Sequence, residues 1–311
     1  MRTSSARSIS KNFIIRLFPA VFAVVVLCVF GLSGLRKVRS FLGTSLFLSH
    51  SWSTNIVFNT DPVVLASFTH DANDRHQILL IPANLIVKIP YGYGLYPFGR
   101  VWKLSQLESR PELVSQATAD LFHRAVDGWV NTGETVKLNM SGGSPVGPQL
   151  QSLFSLQSLV FGKTQSNLQV LDRLLLWWNI FSMRSHNSLE SDFTSMKQLY
   201  SQAPATLGIS GLILNDAAFL PTVSDRFEDV QVRKDGLTVK VFNTTSVSGI
   251  GQNFGRFINA FGGKVIAIEN KNQKEPACQV VTSQQNKAKV LVLYLERSFD
   301  CSIHITSESL D

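Results

Sequence analysis

No acidic residue occurs among the first 39 positions, although that stretch holds seven basic ones: Arg2, Arg7, Lys11, Arg16, Arg36, Lys37 and Arg39. Removing those seven from the 29 Lys plus Arg leaves 22, equal to the 22 Asp plus Glu of the whole chain. The formal net charge of +7 therefore belongs to the N-terminus, and the remainder is neutral. No stripe of Lys and Arg is left there to neutralise phosphates, which argues against nucleic acid as a partner despite a sequence pI near 9.4.

Charge of either sign is missing from Leu17 to Leu35, a run of 19 residues (LFPAVFAVVVLCVFGLSGL). At about 1.5 Å per residue, a helix of that length nearly spans a hydrocarbon core of about 30 Å. The run predicts one transmembrane helix over 17–35, with a cytoplasmic tail over 1–16. Long C-terminal parts translocate largely regardless of charge, so the rest is expected outside the membrane. A cleaved signal peptide is the rival reading, with Gly31-Leu32-Ser33 as its faint cleavage signal. A lipoprotein anchor would need a small residue before Cys28, where Leu27 stands.

Cysteine is scarce. Of three, Cys28 falls inside the apolar run and reads as an inert filler. Cys278 and Cys301 are the two outside it, and in an extracytoplasmic domain such a pair reads as a disulfide. No CxxC or His/Cys spacing suggests zinc. Walker loops, HExxH and a glycosidase carboxylate pair are missing too. Gly142-Gly143-Ser144 lacks the later glycine of a nucleophile elbow.

Organisation follows from what is present. Residues 36–52 form a juxtamembrane segment with an amphipathic look. Asn55–Phe58, Val63–Phe68, Gln77–Ile81 and Leu85–Ile89 read as strands, the second and third joined through the polar cluster 70–74. Leu113–Phe122 reads as a helix and Val126–Val130 as a strand. A Gly/Pro/Ser-rich loop covers 139–149, and two helical stretches follow. In the second, about 167–184, Leu171, Leu174, Leu175, Trp178 and Phe181 mark an inward side, with Asn167 as N-cap. Trp177-Trp178 reads as core or interface filling, with a ligand groove as the rival. Residues 222–236 read as a polar linker. Beyond Leu237 comes a strand, then a helix capped by Thr245 or Ser246 that ends at Gly262-Gly263. A strand over 264–269, another over 279–282 and a helix over 286–299 complete a small α/β unit.

Several constellations invite chemistry. Gly249, Gly251 and Gly255 imitate a dinucleotide fingerprint with Glu269 on the next strand, but the third glycine is one position late. Close helix–strand packing explains them as well. His70, Asp71, Asp74 and His76 are metal-ligand types at close spacing, or a solvated turn. Asn139-Met140-Ser141 and Asn243-Thr244-Thr245 fit the glycosylation pattern.

The stretch LTVKVFNTTSVSGIGQNFGRFINAFGGKVIAIEN resembles the LytR C-terminal domain of bacterial envelope proteins, with Asn243, Thr245, Gly249, Phe257, Gly262 and Val265 in the family's places. The surroundings of Cys278 and Cys301 fit family members with two cysteines there. Such members usually continue into an apolar strand after the second cysteine, and here the run 306–311 is polar. The stretch DPVVLASFTHDANDRHQILLIPANLIVKIPYGYG, followed by VDGWV, is similar to a LytR-CpsA-Psr domain.

Active members of that family transfer a lipid-linked glycopolymer to peptidoglycan. They hold a polyprenyl pyrophosphate with arginines and Mg²⁺ with aspartates. Asp61 aligns with one of those aspartates. Asn59 and Ala83-Asn84 stand where the family has arginine and Arg-Asp, and neither Ala nor Asn can supply a bidentate guanidinium grip. Arg75, Lys88 and Arg100 would compensate if the fold gathers them with Asp61.

Charge and the apolar run, together with the resemblance, imply an α/β chain in these parts: 1–16 cytoplasmic tail, 17–35 transmembrane helix, 36–52 juxtamembrane segment, 53–230 LytR-CpsA-Psr-like domain and 236–311 LytR C-terminal-like domain. The first domain is expected to be a mixed sheet flanked by helices, with a shallow apolar groove. The expected role is a single-pass cell-membrane protein whose outer part binds envelope glycopolymer or its polyprenyl-linked precursor, non-catalytic or weakly active. The alternative is a glycopolymer phosphotransferase. A cofactor, Mg²⁺, belongs to that alternative alone.

Overall fold

The computed structural model describes residues 45–48, 52–70, 75–139, 145–162, 164–184, 186–215, 217–219, 222, 228–271, 275 and 277–306. The chain divides into two units, Met1–Ser49 and His50–Asp311. Of the first, 45–48 are described and contain a turn. The apolar run 17–35 lies outside the described residues, among which no helix is long and apolar enough to cross a membrane.

The second unit opens with β1 (Thr54–Phe58), β2 (Thr60–Asp61), β3 (Val63–Phe68), β4 (His76–Ile81), β5 (Ile86–Ile89) and β6 (Gly94–Pro97). Helices α1 (Phe98–Leu107) and α2 (Glu112–Phe122) follow, then β7 (Gly128–Asn131) and β8 (Val136–Lys137). Next come α3 (Val146–Leu153), β9 (Gln165–Ser166), α4 (Val170–Ser182), β10 (Ser188–Asp192), β11 (Tyr200–Gln202) and β12 (Leu212–Leu214). The chain continues through α5 (Val230–Asp235), β13 (Thr238–Asn243), α6 (Ile250–Ala260), β14 (Lys264–Asn270), β15 (Gln279–Thr282), α7 (Val290–Phe299) and β16 (Ser302–Ile305).

Six strands form one mixed sheet in the order β10-β4-β3-β1-β7-β9. β3 pairs antiparallel with β1 and β4, whereas β1–β7 and β4–β10 are parallel. Every residue of β3 is buried, which requires cover on both faces. One face carries Val57, Val63, Leu65, Leu79 and Ile81 against α1 and α2 through Phe98, Val101, Leu113 and Val114. On the other, Phe58 meets Phe154 with ring centroids 5.0 Å apart, and Leu176 and Ile180 of α4 are fully buried. The expected mixed sheet flanked by helices is present. Sequence patterning missed α1, which begins at Phe98 directly after β6.

Several expectations about helices need correction. In α4 the inward side is Asp172, Leu176 and Ile180, while Leu174, Trp178 and Phe181 face out. Apolar residues occupy nearly every side of VLDRLLLWWNIFS, so periodicity cannot choose the buried one. Trp178 is 59% exposed and is therefore not core filling. The N-cap is Gln169 rather than Asn167, whose Oδ1 accepts from Trp129 N instead (2.9 Å). The supposed linker over 222–236 contains α5, capped by the Asp229 carboxylate accepting from the N–H groups of Gln231 and Val232. Val232 of that helix is buried, and Asp235 pairs with Lys289 at 2.8 Å.

In the C-terminal part, β13 and β14 pair in parallel around α6, and β15 and β16 pair in parallel around α7. A strand, β16, follows the second cysteine and starts at Ser302. Cys278 and Cys301 are disulfide-bonded, with Cα atoms 4.5 Å apart. Helix α6 is entered through Gly249 at φ 80°, not through a Thr245 or Ser246 cap. Those residues belong to a turn pinned by Asn243, whose Oδ1 accepts from Thr245 N (2.9 Å) and Oγ1 (2.8 Å). Its Nδ2 donates to Val247 O (3.0 Å) and Asn270 Oδ1 (3.2 Å), so this glycosylation-pattern asparagine is committed to the fold. Gly251 and Gly255 lie against Ile268, where an added Cβ would approach to 3.1 Å, which fits a packing role for the glycine run.

This C-terminal part shares its core with the sheet domain. Tyr294 stacks on Phe261 at 3.6 Å and meets Trp52 edge-on at 5.7 Å. Its hydroxyl accepts from Ala125 N at 3.1 Å. Beside it, Asp127 accepts from Asn55 N at 2.7 Å. Burial pushes the Asp127 carboxyl up to about 6, against the lowering effects of the Asn55 N–H and of Arg124. Since its ordinary value is 3.8, the native state holds the extra proton between about pH 4 and 6. The associated stability is present below that window and is lost as pH rises through it, by about 3 kcal/mol. Urea unfolding of Asp127→Asn and wild type at pH 4 and pH 7 checks this. The variant should gain on wild type between the two pH values by that amount, and a pH-independent difference would refute the assignment.

Candidate functional site

The C-terminal ends of the parallel neighbours β1 and β7 carry Asn59, Thr60 and Asp61 on one side and Asn131 on the other. In open α/β sheets the crevice outside such strand ends is where ligands sit. Here the side chains form an amide ladder. Thr135 Oγ1 donates to Asn59 Oδ1 (3.1 Å), and Asn59 Nδ2 donates to Asn131 Oδ1 (2.8 Å). Asn131 Nδ2 then reaches Gln165 Oε1 at 3.5 Å. Asn59, which stands at the resembled family's arginine position, is thus buried and committed to a neighbour at each end.

Asn131 and Gln165 of the ladder line a cleft of about 550 Å³. Trp129, Asn131, Gln165 and Ser166 line it from β7 and β9, Trp102, Ser105 and Gln106 from α1, Ser109 and Pro111 from the turn after α1, and Arg173 from α4. The rings of Trp102 and Trp129 meet edge-on, 6.2 Å between centroids. The Trp102 indole N–H is buried without an acceptor among the described residues. Arg173 is the one charged residue of the lining. Its Nε donates to Leu168 O (3.0 Å), and its Nη2 to Ser166 O (3.3 Å). Carbonyls fix the guanidinium in place, and among the described residues no carboxylate forms an ion pair with it. An immobilised, uncompensated cation beside aromatic rings, amides and hydroxyls suits an anionic ligand rich in hydroxyl groups. The expected groove was apolar; this cleft joins apolar surface, from Trp102, Trp129 and Pro111, with polar surface in about equal parts.

The residues singled out from sequence are placed differently. Asp61 ends β2, half-buried, with Lys137 as its register partner on β8. The register Val63↔Ile81 puts Asp61 and the residues after Ile81 at the same end of the sheet. Ala83 is there, its carbonyl accepting from Gly99 N at 2.8 Å, so Arg100 at the start of α1 belongs to this end and is exposed. Lys88 is exposed on β5, and its charge partly offsets the burial that raises the Asp120 carboxyl. Arg75 precedes β4 at the opposite end of the sheet, roughly 17 Å of strand away. The fold therefore does not gather Arg75 with Asp61, and none of the four lines the cleft.

Of the other candidates, His76 Nδ1 accepts from Thr69 N at 3.3 Å, and Asp71 and Asp74 lie outside the described residues. Among the described residues no group of three His, Cys, Asp or Glu could hold a metal.

The cleft was hidden from sequence reasoning because its lining comes from separate segments between Trp102 and Arg173. Only Trp129, inside the quoted VDGWV, stood near a recognised signal.

No family model matches the sequence, and no curated protein matches it. Solved structures do. The chain is similar to TagT of B. subtilis at 15% identity and a TM-score of 0.36, over 55% of this chain and 87% of that one. A structure of TagT bound to LIIa-WTA matches at 16% identity and a TM-score of 0.37, over 55% and 88%. TagU of B. subtilis matches at 11% identity and a TM-score of 0.38, over 56% of this chain and 95% of that one.

Proposed function

We propose that this chain is a membrane-anchored protein of the cell envelope. Its sheet domain recognises an anionic envelope glycopolymer, or the polyprenyl-linked precursor of one, in the cleft between α1, β7, β9 and α4. The observation that carries the reading is the Arg173 guanidinium, fixed by carbonyls and, among the described residues, left without a carboxylate partner beside the Trp102–Trp129 pair. The sequence resemblance to LytR-CpsA-Psr domains supplies the polymer class, and the uncharged run 17–35 supplies the anchor.

Titration calorimetry with a polyprenyl-pyrophosphate-linked glycan tests it. Losing a hydrogen bond from a charged group is worth about 1.5–3 kcal/mol, so Arg173→Gln should weaken binding about tenfold or more. Arg75→Gln should leave binding unchanged. Equal affinity in wild type and Arg173→Gln would remove the cleft from the reading.

The second reading, a glycopolymer phosphotransferase, is favoured by Asp61, two residues beyond the ladder asparagine. Recognition is common to both readings. Transfer of the same glycan to peptidoglycan, assayed with and without added Mg²⁺, separates them. Transfer that Asp61→Asn abolishes establishes the enzyme.

A further inference from the structure

Helix α4 presents an uninterrupted apolar stripe to the outside. Val170 is 57% exposed, Leu174 39%, Trp178 59% and Phe181 50%. Spacings of four, four and three residues keep them on one side of the helix, over about 16 Å. Trp177 adds area beside them, its ring stacked on Phe181 at 5.3 Å. Soluble surfaces rarely expose a contiguous patch of this kind without a partner.

The position of the stripe points to that partner. At its start, α4 is held to the N-terminal end of β7: Asn167 Nδ2 donates to Asp127 O (3.1 Å), and Leu168 packs on Gly128. After its end, Asn187 O accepts from His76 N (2.9 Å), at the N-terminal end of β4. By register, both anchor points lie at the end of the sheet where β1 begins, since Gly128 pairs with Ile56, and Ser67 with both Asn55 and Gln77. Both flanks of α4 therefore meet the end of the sheet at which β1 begins, and in sequence residues 36–51 link that end to the uncharged run 17–35.

The chemistry agrees with a bilayer surface. Trp and Phe favour the headgroup boundary. The stripe has no acidic member, and the exposed Arg184 follows it, with Nη1 on Phe181 O at 2.9 Å.

We infer that the outer side of α4 lies on the phospholipid surface of the membrane that holds residues 17–35, fixing the sheet domain against it. The inference rests on the anchored reading proposed above. The test uses the full chain reconstituted in phosphatidylcholine–phosphatidylglycerol vesicles containing brominated-acyl phosphatidylcholine, with flotation and tryptophan quenching read together. Of the five tryptophans, Trp52, Trp102 and Trp129 are shielded by burial, so lipid contact at α4 dominates the signal.

The chain should float and be quenched. Trp178→Phe should lose most of the quenching, and Leu174→Ser with Phe181→Ser should lower it while circular dichroism stays unchanged. A chain that floats but is not quenched, or whose quenching survives Trp178→Phe, overturns this inference and leaves the anchor standing. A chain that does not float overturns both. A dimer in detergent that Phe181→Ser dissolves, with no quenching in vesicles, assigns the stripe to a second copy and overturns it as well.

Discussion

Tyr294→Ala is expected to destabilise the protein by about 3–5 kcal/mol, the range for deleting a large buried aromatic side chain. Tyr294 is 1% exposed and stacked on Phe261. The substitution also strands the Ala125 N–H, whose acceptor is the Tyr294 hydroxyl 169 residues away in sequence. Burial holds that hydroxyl up at about 12, so it stays protonated at any ordinary pH. Tyr294→Phe keeps the stacking and loses only the acceptor, so it should cost about 1–3 kcal/mol. Urea unfolding followed at the buried Trp52, which the Tyr294 ring touches, checks both. In the alanine variant we expect the C-terminal part to unfold at lower denaturant than the sheet domain, splitting one transition into two. A single transition with an unshifted midpoint would show that the shared core does not couple the two parts.

Removing the disulfide is the second large effect. The bond joins the residue before β15 to the residue before β16 and closes a 23-residue separation. The chain-entropy relation gives roughly 3.5 kcal/mol for a loop of that size. Between the two cysteines, Ser302 N donates to Cys278 O at 3.0 Å, so the covalent link and the first bond of the β15–β16 ladder act at the same place. Cys278→Ala with Cys301→Ala should lower the midpoint of thermal unfolding by roughly 10 °C for a unit of this size. Mass spectrometry of the unreduced protein gives the prior check, and free thiols at both positions would refute the bond. A small α/β part with two separate two-stranded sheets has a limited core of its own, which is why a covalent link and a shared interface both matter here.

What the sequence determined by itself was local. Strand alternation and the polar cluster after Thr69 were enough to place β1, β3 and β4 and to pair β3 with β4 as a hairpin. The run from Leu237 to Asn270 was enough for a strand, a helix and a strand, because its period changes from 2 to 3.6 and a Gly-Gly pair ends the helix. Pairing of the two outer cysteines followed from there being no other candidates outside the apolar run.

Tertiary structure alone decided the rest. Which side of α4 is buried depends on whether Leu176 and Ile180 or Trp178 and Phe181 meet the sheet, and a helix apolar nearly all round does not encode that choice in its period. The polar stretch before Gly236 became helix α5 because Val232 found a buried place and Asp235 found Lys289, partners that local propensity cannot supply. The cleft is the largest gain. Its tryptophans, amides and arginine come from four separate segments, each unremarkable along the chain, and only the pairing of β7 with β9 beside α1 and α4 brings them within reach. The same order keeps Arg75 and Asp61 apart, since a hairpin places the two ends of its strands at opposite ends of the sheet.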